Sequence, residues 1–159
     1  MRRDAALVPG EVYHIYNRGA HKRDIFVHEQ DYRRFQLLLH VSNTASRVNM
    51  RDLFTRYKGQ TFADIFMLEK PDKDLAEVLA YCLMPNHFHI ILRQKADAGI
   101  STFLHKLFTA YSMYFNVKHD HSGILSQGSF KSRHVNTENY FRYLFSYVHL
   151  NPQIGRAHV

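Results

Sequence analysis

The sequence predicts an α+β fold in which an antiparallel sheet carries helices packed on one face. Two observations support this. Four short segments have strand character and three carry apolar residues at helical spacing, in the order β-α-(insertion)-β-β-α-β-α. The second and third strands are joined by a connection so tight that only antiparallel neighbours can use it. With 159 residues, 45% of them hydrophobic, the chain can build its own core, and we expect one domain over 1–159 with an insertion at 44–74.

Val12 to Asn17 alternate in the strand manner after a Pro-Gly pair and form the first expected strand; Arg18-Gly19 end it, and the basic loop Ala20 to Asp24 follows. From Glu29 to about Asn43, Tyr32, Phe35, Leu38 and Leu39 recur at helical spacing. Residues Thr44 to Asp74 mix charge with short apolar patches and fit a short helix or an irregular insertion equally well. A strand from about Glu77 to Met84 turns at Met84-Pro85-Asn86 and returns as His87 to Arg93, a β-hairpin. After Gly99, Ile100, Phe103, Leu104, Leu107, Phe108, Tyr111, Tyr114 and Phe115 mark the strongest helix, with both tyrosines on its apolar stripe and so expected in the core. Phe130 to Val135 reads as a short basic strand. Thr137 caps a last helix that runs to Asn151-Pro152, with Tyr140, Phe141, Leu144, Phe145 and Val148 on its apolar face.

Composition narrows the function classes. A formal charge of +7 with 12 histidines favours a polyanionic partner such as nucleic acid, although a basic protein without such a partner has the same balance. The single cysteine, Cys82, rules out an internal disulfide framework; it suits a buried small residue better than a nucleophile, and a reducing compartment follows. No segment approaches the ~20 apolar residues of a membrane span and the N-terminus has no signal-length apolar stretch, so no membrane partner and a cytoplasmic protein are expected.

The stretch Tyr81 to Leu92, Y-C-L-M-P-N-H-F-H-I-I-L, sets His87 and His89 two apart in a strand, where both point to one face and can grip one object. Tyr147 and Asn151 stand one turn apart on the last helix. Two imidazoles and an amide oxygen make three ligands with positions left open, and a tyrosine beside such a metal can act as a nucleophile on a phosphoryl group. Taken alone, a His-x-His strand pair is more often structural than metal-binding, and most tyrosines are packing residues.

Four ordered segments shift that balance. Y-H-I-Y-N-R-G (Tyr13 to Gly19), the Tyr81 to Leu92 stretch, Q-G-S-F-K-S-R (Gln127 to Arg133) and Y-V-H-L-N-P (Tyr147 to Pro152) resemble the HUH-type, insertion-sequence-200-like single-tyrosine transposases, with REP-associated tyrosine transposases nearest. The resemblance implies a ferredoxin-like (RRM-like) antiparallel sheet. It implies that His87 and His89 bind Mg²⁺ or Mn²⁺, that Asn151 completes the metal site and that Tyr147 is the nucleophile. It implies cleavage and rejoining of single-stranded or hairpin DNA through a 5′-phosphotyrosine, in a bacterial, nucleoid-associated protein. Family members include homodimers and monomers, and both states stay open here.

Arg18, Lys22, Arg23, Lys131 and Arg133 are expected to track the DNA backbone, the alternative being a solvated charged face. The sequence departs from the family pattern in the length of 44–74 and after Asn151-Pro152, where Gln153 and Ile154 replace a common basic residue. Two rival functions remain at this stage. A non-catalytic nucleic-acid-binding regulator would bind without metal or Tyr147. A phosphodiesterase using water would leave no protein adduct.

Overall fold

The computed structural model describes residues 6–150. Strand β1 (Val12–Arg18) leads through a single 3-10 turn (Ala20–Lys22) to helix α1 (Glu29–Val41). Two short helices, α2 (Met50–Arg56) and α3 (Phe62–Leu68), precede the hairpin β2 (Ala76–Met84) and β3 (His87–Gln94). Helix α4 (Gly99–Lys118), strand β4 (Lys131–His134) and helix α5 (Glu138–Leu150) complete the order. The sheet is antiparallel with strand order β2-β3-β1-β4, the α+β, ferredoxin-like arrangement expected.

Period-2 alternation sorts each strand between two faces. Tyr13, Ile15, Leu83, Phe88, Ile90 and Leu92 point to one side, where they join Phe35 and Leu38 of α1 and Phe103, Leu104 and Leu107 of α4 in the main core. Tyr111 belongs to that core, as its place on the α4 stripe predicts, and its hydroxyl donates to the Ile25 carbonyl at 2.5 Å, so burial leaves no orphan polar atom. The helical periodicity of α1 and α4 exists to cover this face.

The opposite face carries a smaller apolar cluster, Ala80, Cys82, Met84, Ile91 and Val135, covered by Leu144 and Val148 of α5. So α1 and α4 share one face, and α5, expected with them on that face, lies instead across the other, because the sheet carries a second apolar cluster there for Leu144 and Val148 to cover. Cys82 is a buried residue there, its thiol pushed up by burial, in keeping with a packing role.

The ambiguous stretch 44–74 resolves into two capped helices. Asn49 accepts the backbone N–H groups of Arg51 and Asp52 at the start of α2, and Thr61 with Asp64 forms a reciprocal capping box at the start of α3. Leu53 and Ile65 reach into the main core. Asn43 closes the base of the segment: its Oδ1 accepts from the N–H groups of Leu75 and Ala76 at 3.0 Å, and its Nδ2 donates to the Ala76 carbonyl. Among the described residues no helix is long and apolar enough to cross a membrane.

At the other end of the sheet, Gly19 turns the chain out of β1. A Cβ at this position would collide with the Arg23 carbonyl, so only glycine lets the basic loop fold back this closely. The loop is tied to the β2–β3 turn by Gly19 N–H to the Asn86 carbonyl at 2.8 Å and by Ile25 and Phe26 N–H to the Pro85 carbonyl. Arg18 and His87 are thereby held side by side.

Candidate active site

Strand register assembles the site. Arg18 of β1 pairs with His87 of β3, Tyr16 with His89, and on the other edge of β1 Tyr16 pairs with Lys131 and His14 with Arg133. Directly paired residues share a face. One face therefore displays His14, Tyr16 and Arg18 from β1, His87 and His89 from β3, and Lys131 and Arg133 from β4, and it is the face on which α5 lies.

Helix α5 brings Tyr147 to this group. Leu144 and Val148 anchor the helix in the apolar cluster, and Tyr147, next in sequence to Val148, falls at the border between that anchor and solvent with 37% of its surface exposed. Its ring meets His89 edge-to-face, centroids 5.5 Å apart and planes at 88°. Tyr143, one turn earlier, stacks on Tyr147 at 6.4 Å. The hydroxyl of Tyr147 thus belongs to an accessible side chain held beside an imidazole.

The two histidines of β3 stand with centroids 5.2 Å apart. Two imidazoles bound to one ion at metal–nitrogen bonds of about 2.1 Å have centroids on the order of 5 Å apart, so the spacing fits a shared cation. The Nδ1 atoms of both rings have hydrogen-bond partners. Asn86 Oδ1 accepts from His87 Nδ1 at 2.7 Å, which leaves the His87 Nε2 lone pair free, and His89 Nδ1 is engaged by His14 Nε2 at 2.9 Å. Among the described residues no group of three His, Cys, Asp or Glu side chains forms a metal cluster, so no third side chain of these types among them completes the pair. Asn151, the expected third ligand, lies outside the described residues.

The local field keeps these rings neutral. Burial lowers His89 to about 4, with the nearby His14 and His87 acting in the same direction. Burial, then the Arg133 guanidinium, lowers His14 to about 4, and burial with Arg18 lowers His87. Neutral imidazole is the form that binds a cation.

Of the expected DNA-contacting residues, Arg18, Lys131 and Arg133 are exposed on the histidine face. Arg18 donates through Nε to Gln127 Oε1, and Arg133 lies 4.8 Å from the Tyr140 ring centroid. Lys22 and Arg23 are exposed in the loop beyond β1, where Arg23 contacts His121 and the Lys22 carbonyl receives Asn86 Nδ2. The loop is therefore linked to the same Asn86 that orients His87.

No curated protein sequence matches the chain. The model of the family described as "Transposase IS200 like" matches residues 47–151, more than half of the chain and including β2, β3, β4 and α5. The chain belongs to the IS200-like transposases. Among solved structures, that of a REP-associated tyrosine transposase bound to a REP hairpin aligns with a TM-score of 0.57 at 11% identity, over 96% of this chain and 73% of that one. A Deinococcus radiodurans R1 protein, provisionally named a transposase, aligns with a TM-score of 0.48 at 17% identity, over 94% of this chain and 97% of that one. The first of these likenesses carries the fold.

Two side chains of this transposase join the site without having been singled out from sequence. His14 bonds His89, and Tyr16 lies 6.1 Å from the same ring. The alternation V-Y-H-I-Y-N does place His14 and Tyr16 on one face of β1, but only the pairing of β1 with β3 says which neighbour they meet.

Proposed function

We propose that this transposase cuts and rejoins single-stranded, hairpin-bearing DNA, with Tyr147 as nucleophile and His87 and His89 as metal ligands. The observation that carries the reading is the placement of Tyr147 edge-to-face on His89, on a sheet face that also presents Arg18, Lys131 and Arg133. The hairpin-bound structural neighbour supports the substrate class.

In this reading the exposed cations hold the phosphate backbone across the sheet, and the positioned phosphate meets the Tyr147 oxygen in line. The phenol gives its proton to water, a Tyr147 Oη–phosphorus bond forms, and the bond from phosphorus to the 3′ oxygen breaks. That oxygen leaves as a 3′-hydroxyl after gaining a proton. A divalent ion, Mg²⁺ or Mn²⁺, would polarise the scissile phosphate and stabilise its developing charge. His87 and His89 would hold it, with Asn151 as the proposed third ligand. The phosphotyrosine keeps the energy of the phosphodiester bond, so attack by a 3′-hydroxyl rejoins strands without ATP.

The single-domain organisation, with 44–74 as an insertion, and action in the cytoplasm at the nucleoid belong to the same proposal. The test is incubation of the protein with labelled hairpin-bearing single strands and Mn²⁺ or Mg²⁺, followed by a denaturing gel beside Tyr147→Phe. A metal-dependent protein–DNA adduct absent from the variant is the expected result. Binding with no adduct across the panel would favour the regulator, and cut product with no adduct the water-using phosphodiesterase.

A further inference from the structure

We infer that His14 is a positioning residue: its Nε2 accepts the Nδ1–H of His89 and holds His89 in the tautomer whose Nε2 is free to bind a cation. The inference rests on the metal-site reading above and adds to it a residue that acts through His89.

The geometry is that of an in-plane hydrogen bond. The two rings are close to parallel, at 23° with centroids 5.1 Å apart, and their nearest nitrogens are 2.9 Å apart, so they meet edge to edge. His14 pairs directly with Ile91, which makes it the diagonal neighbour of His89, within reach of a long side chain on the same face. Two neutral imidazoles in this arrangement share one proton, and its direction decides what His89 can do. If His14 donates, His89 carries its own proton on Nε2 and that nitrogen cannot bind a metal. If His89 donates, Nε2 is a free lone pair.

Two features agree with the second state. His14 Nδ1 has no hydrogen-bond partner among the described residues, so no neighbour there opposes a proton on Nδ1. His87 is already held in the corresponding state: Asn86 directs its Nδ2 to the Lys22 carbonyl and therefore offers Oδ1, an acceptor only, to His87 Nδ1. Both histidines of the pair then present the same nitrogen, each fixed from behind by a different partner. His14 is buried at 8% exposure on a face where Cys82, Met84 and Ile91 fill space with apolar groups, so packing does not require an imidazole there.

The test uses the full chain with ¹⁵N-labelled histidine and no DNA. Long-range ¹H–¹⁵N spectra of the metal-free protein read the His89 tautomer directly, and Mn²⁺ titration followed by electron paramagnetic resonance reads affinity. His14→Phe keeps ring volume and removes the acceptor; His14→Gln puts an amide oxygen near the position of Nε2. We expect His89 Nδ1–H in the wild type, a shift toward Nε2–H in His14→Phe with Mn²⁺ affinity lowered about 10- to 100-fold, and recovery to within a few-fold in His14→Gln. A wild-type His89 protonated on Nε2 overturns the inference, as does a His14→Phe protein with unchanged tautomer and affinity. Should His14→Phe fail to fold, the wild-type tautomer and His14→Gln still decide. Absence of Mn²⁺ binding by the wild type would remove the metal reading, while the tautomer spectra would still settle whether His14 orients His89.

Discussion

Tyr147 of α5 and His89 of β3 meet edge-to-face, 5.5 Å between centroids, although 57 residues of sequence lie between them. The contact joins the helix that carries the proposed nucleophile to the strand that carries the proposed metal ligands. Tyr147→Phe keeps the ring and its contact and removes only the hydroxyl. Adduct formation is expected to fall more than about 10³-fold, with hairpin affinity within about two-fold of wild type. Adduct gels and fluorescence anisotropy on the same preparations check both parts.

His87→Ala and His89→Ala each remove one imidazole of a pair 5.2 Å apart. Each variant is expected to lose metal-stimulated cleavage while still binding DNA, and chelation should reduce the wild type to the same level. Because imidazole nitrogen suits transition metals better than Mg²⁺, Mn²⁺ should saturate cleavage at lower concentration than Mg²⁺. Metal titrations of the cleavage rate measure this order, and metal-stimulated cleavage that survives in both alanine variants would contradict the site.

Arg18, Lys131 and Arg133 lie on the histidine face and are exposed. If each neutralises a phosphate, alanine at any one weakens single-strand binding and reduces the slope of log affinity against log salt by about 0.7. Anisotropy titrations across a salt series give the slope. An unchanged slope for all three variants would assign them to a solvated surface.

Leu144 anchors α5 at 3% exposure against Ala80, Cys82 and Ile91. Leu144→Ala is expected to cost about 2–5 kcal/mol in urea unfolding and to slow adduct formation, because the helix that positions Tyr147 loses its grip on the sheet. Exposed Tyr143→Ala, at 65% exposure, serves as the comparison and should change stability far less.

Asp31 ties α1 to α4. Burial alone would push its carboxyl up, but the N–H groups of His28 and Val27, the Lys118 ammonium and His119 outweigh burial and hold it well below the usual carboxylate range. A carboxyl depressed in the folded state adds stability that is present above its unfolded value, about 3.9, and is lost as pH falls toward the folded value. Asp31→Asn should therefore cost about 2–4 kcal/mol at neutral pH, and the two unfolding curves should draw together below about pH 4. A pH-independent difference would contradict this account.

Much of this fold was legible in the sequence because its elements advertise themselves locally. The alternation of V-Y-H-I-Y-N, the Met84-Pro85-Asn86 turn and the stripe from Ile100 to Phe115 are each decided by neighbours a few residues away, and each formed within three residues of expectation. The stretch 44–74 is far less legible, although its caps at Asn49 and Thr61 are local signals. Its helices have seven residues each, too short for periodicity to show, and their burial depends on a core built by other elements.

The order of the four strands and three longer helices, the side-by-side placement of His87 and His89, and the apolar stripe of α5 are legible in the sequence alone. Three-dimensional packing settles that α5 crosses the face opposite α1 and α4, that Tyr147 reaches His89, and that His14 backs the same ring. A hydrophobic stripe specifies that a helix must be covered but not by which surface, since burial is non-directional. Strand alternation likewise assigns side chains to two faces but leaves their neighbours open until register is set, and the antiparallel pairing of β1 with β3 supplied that register.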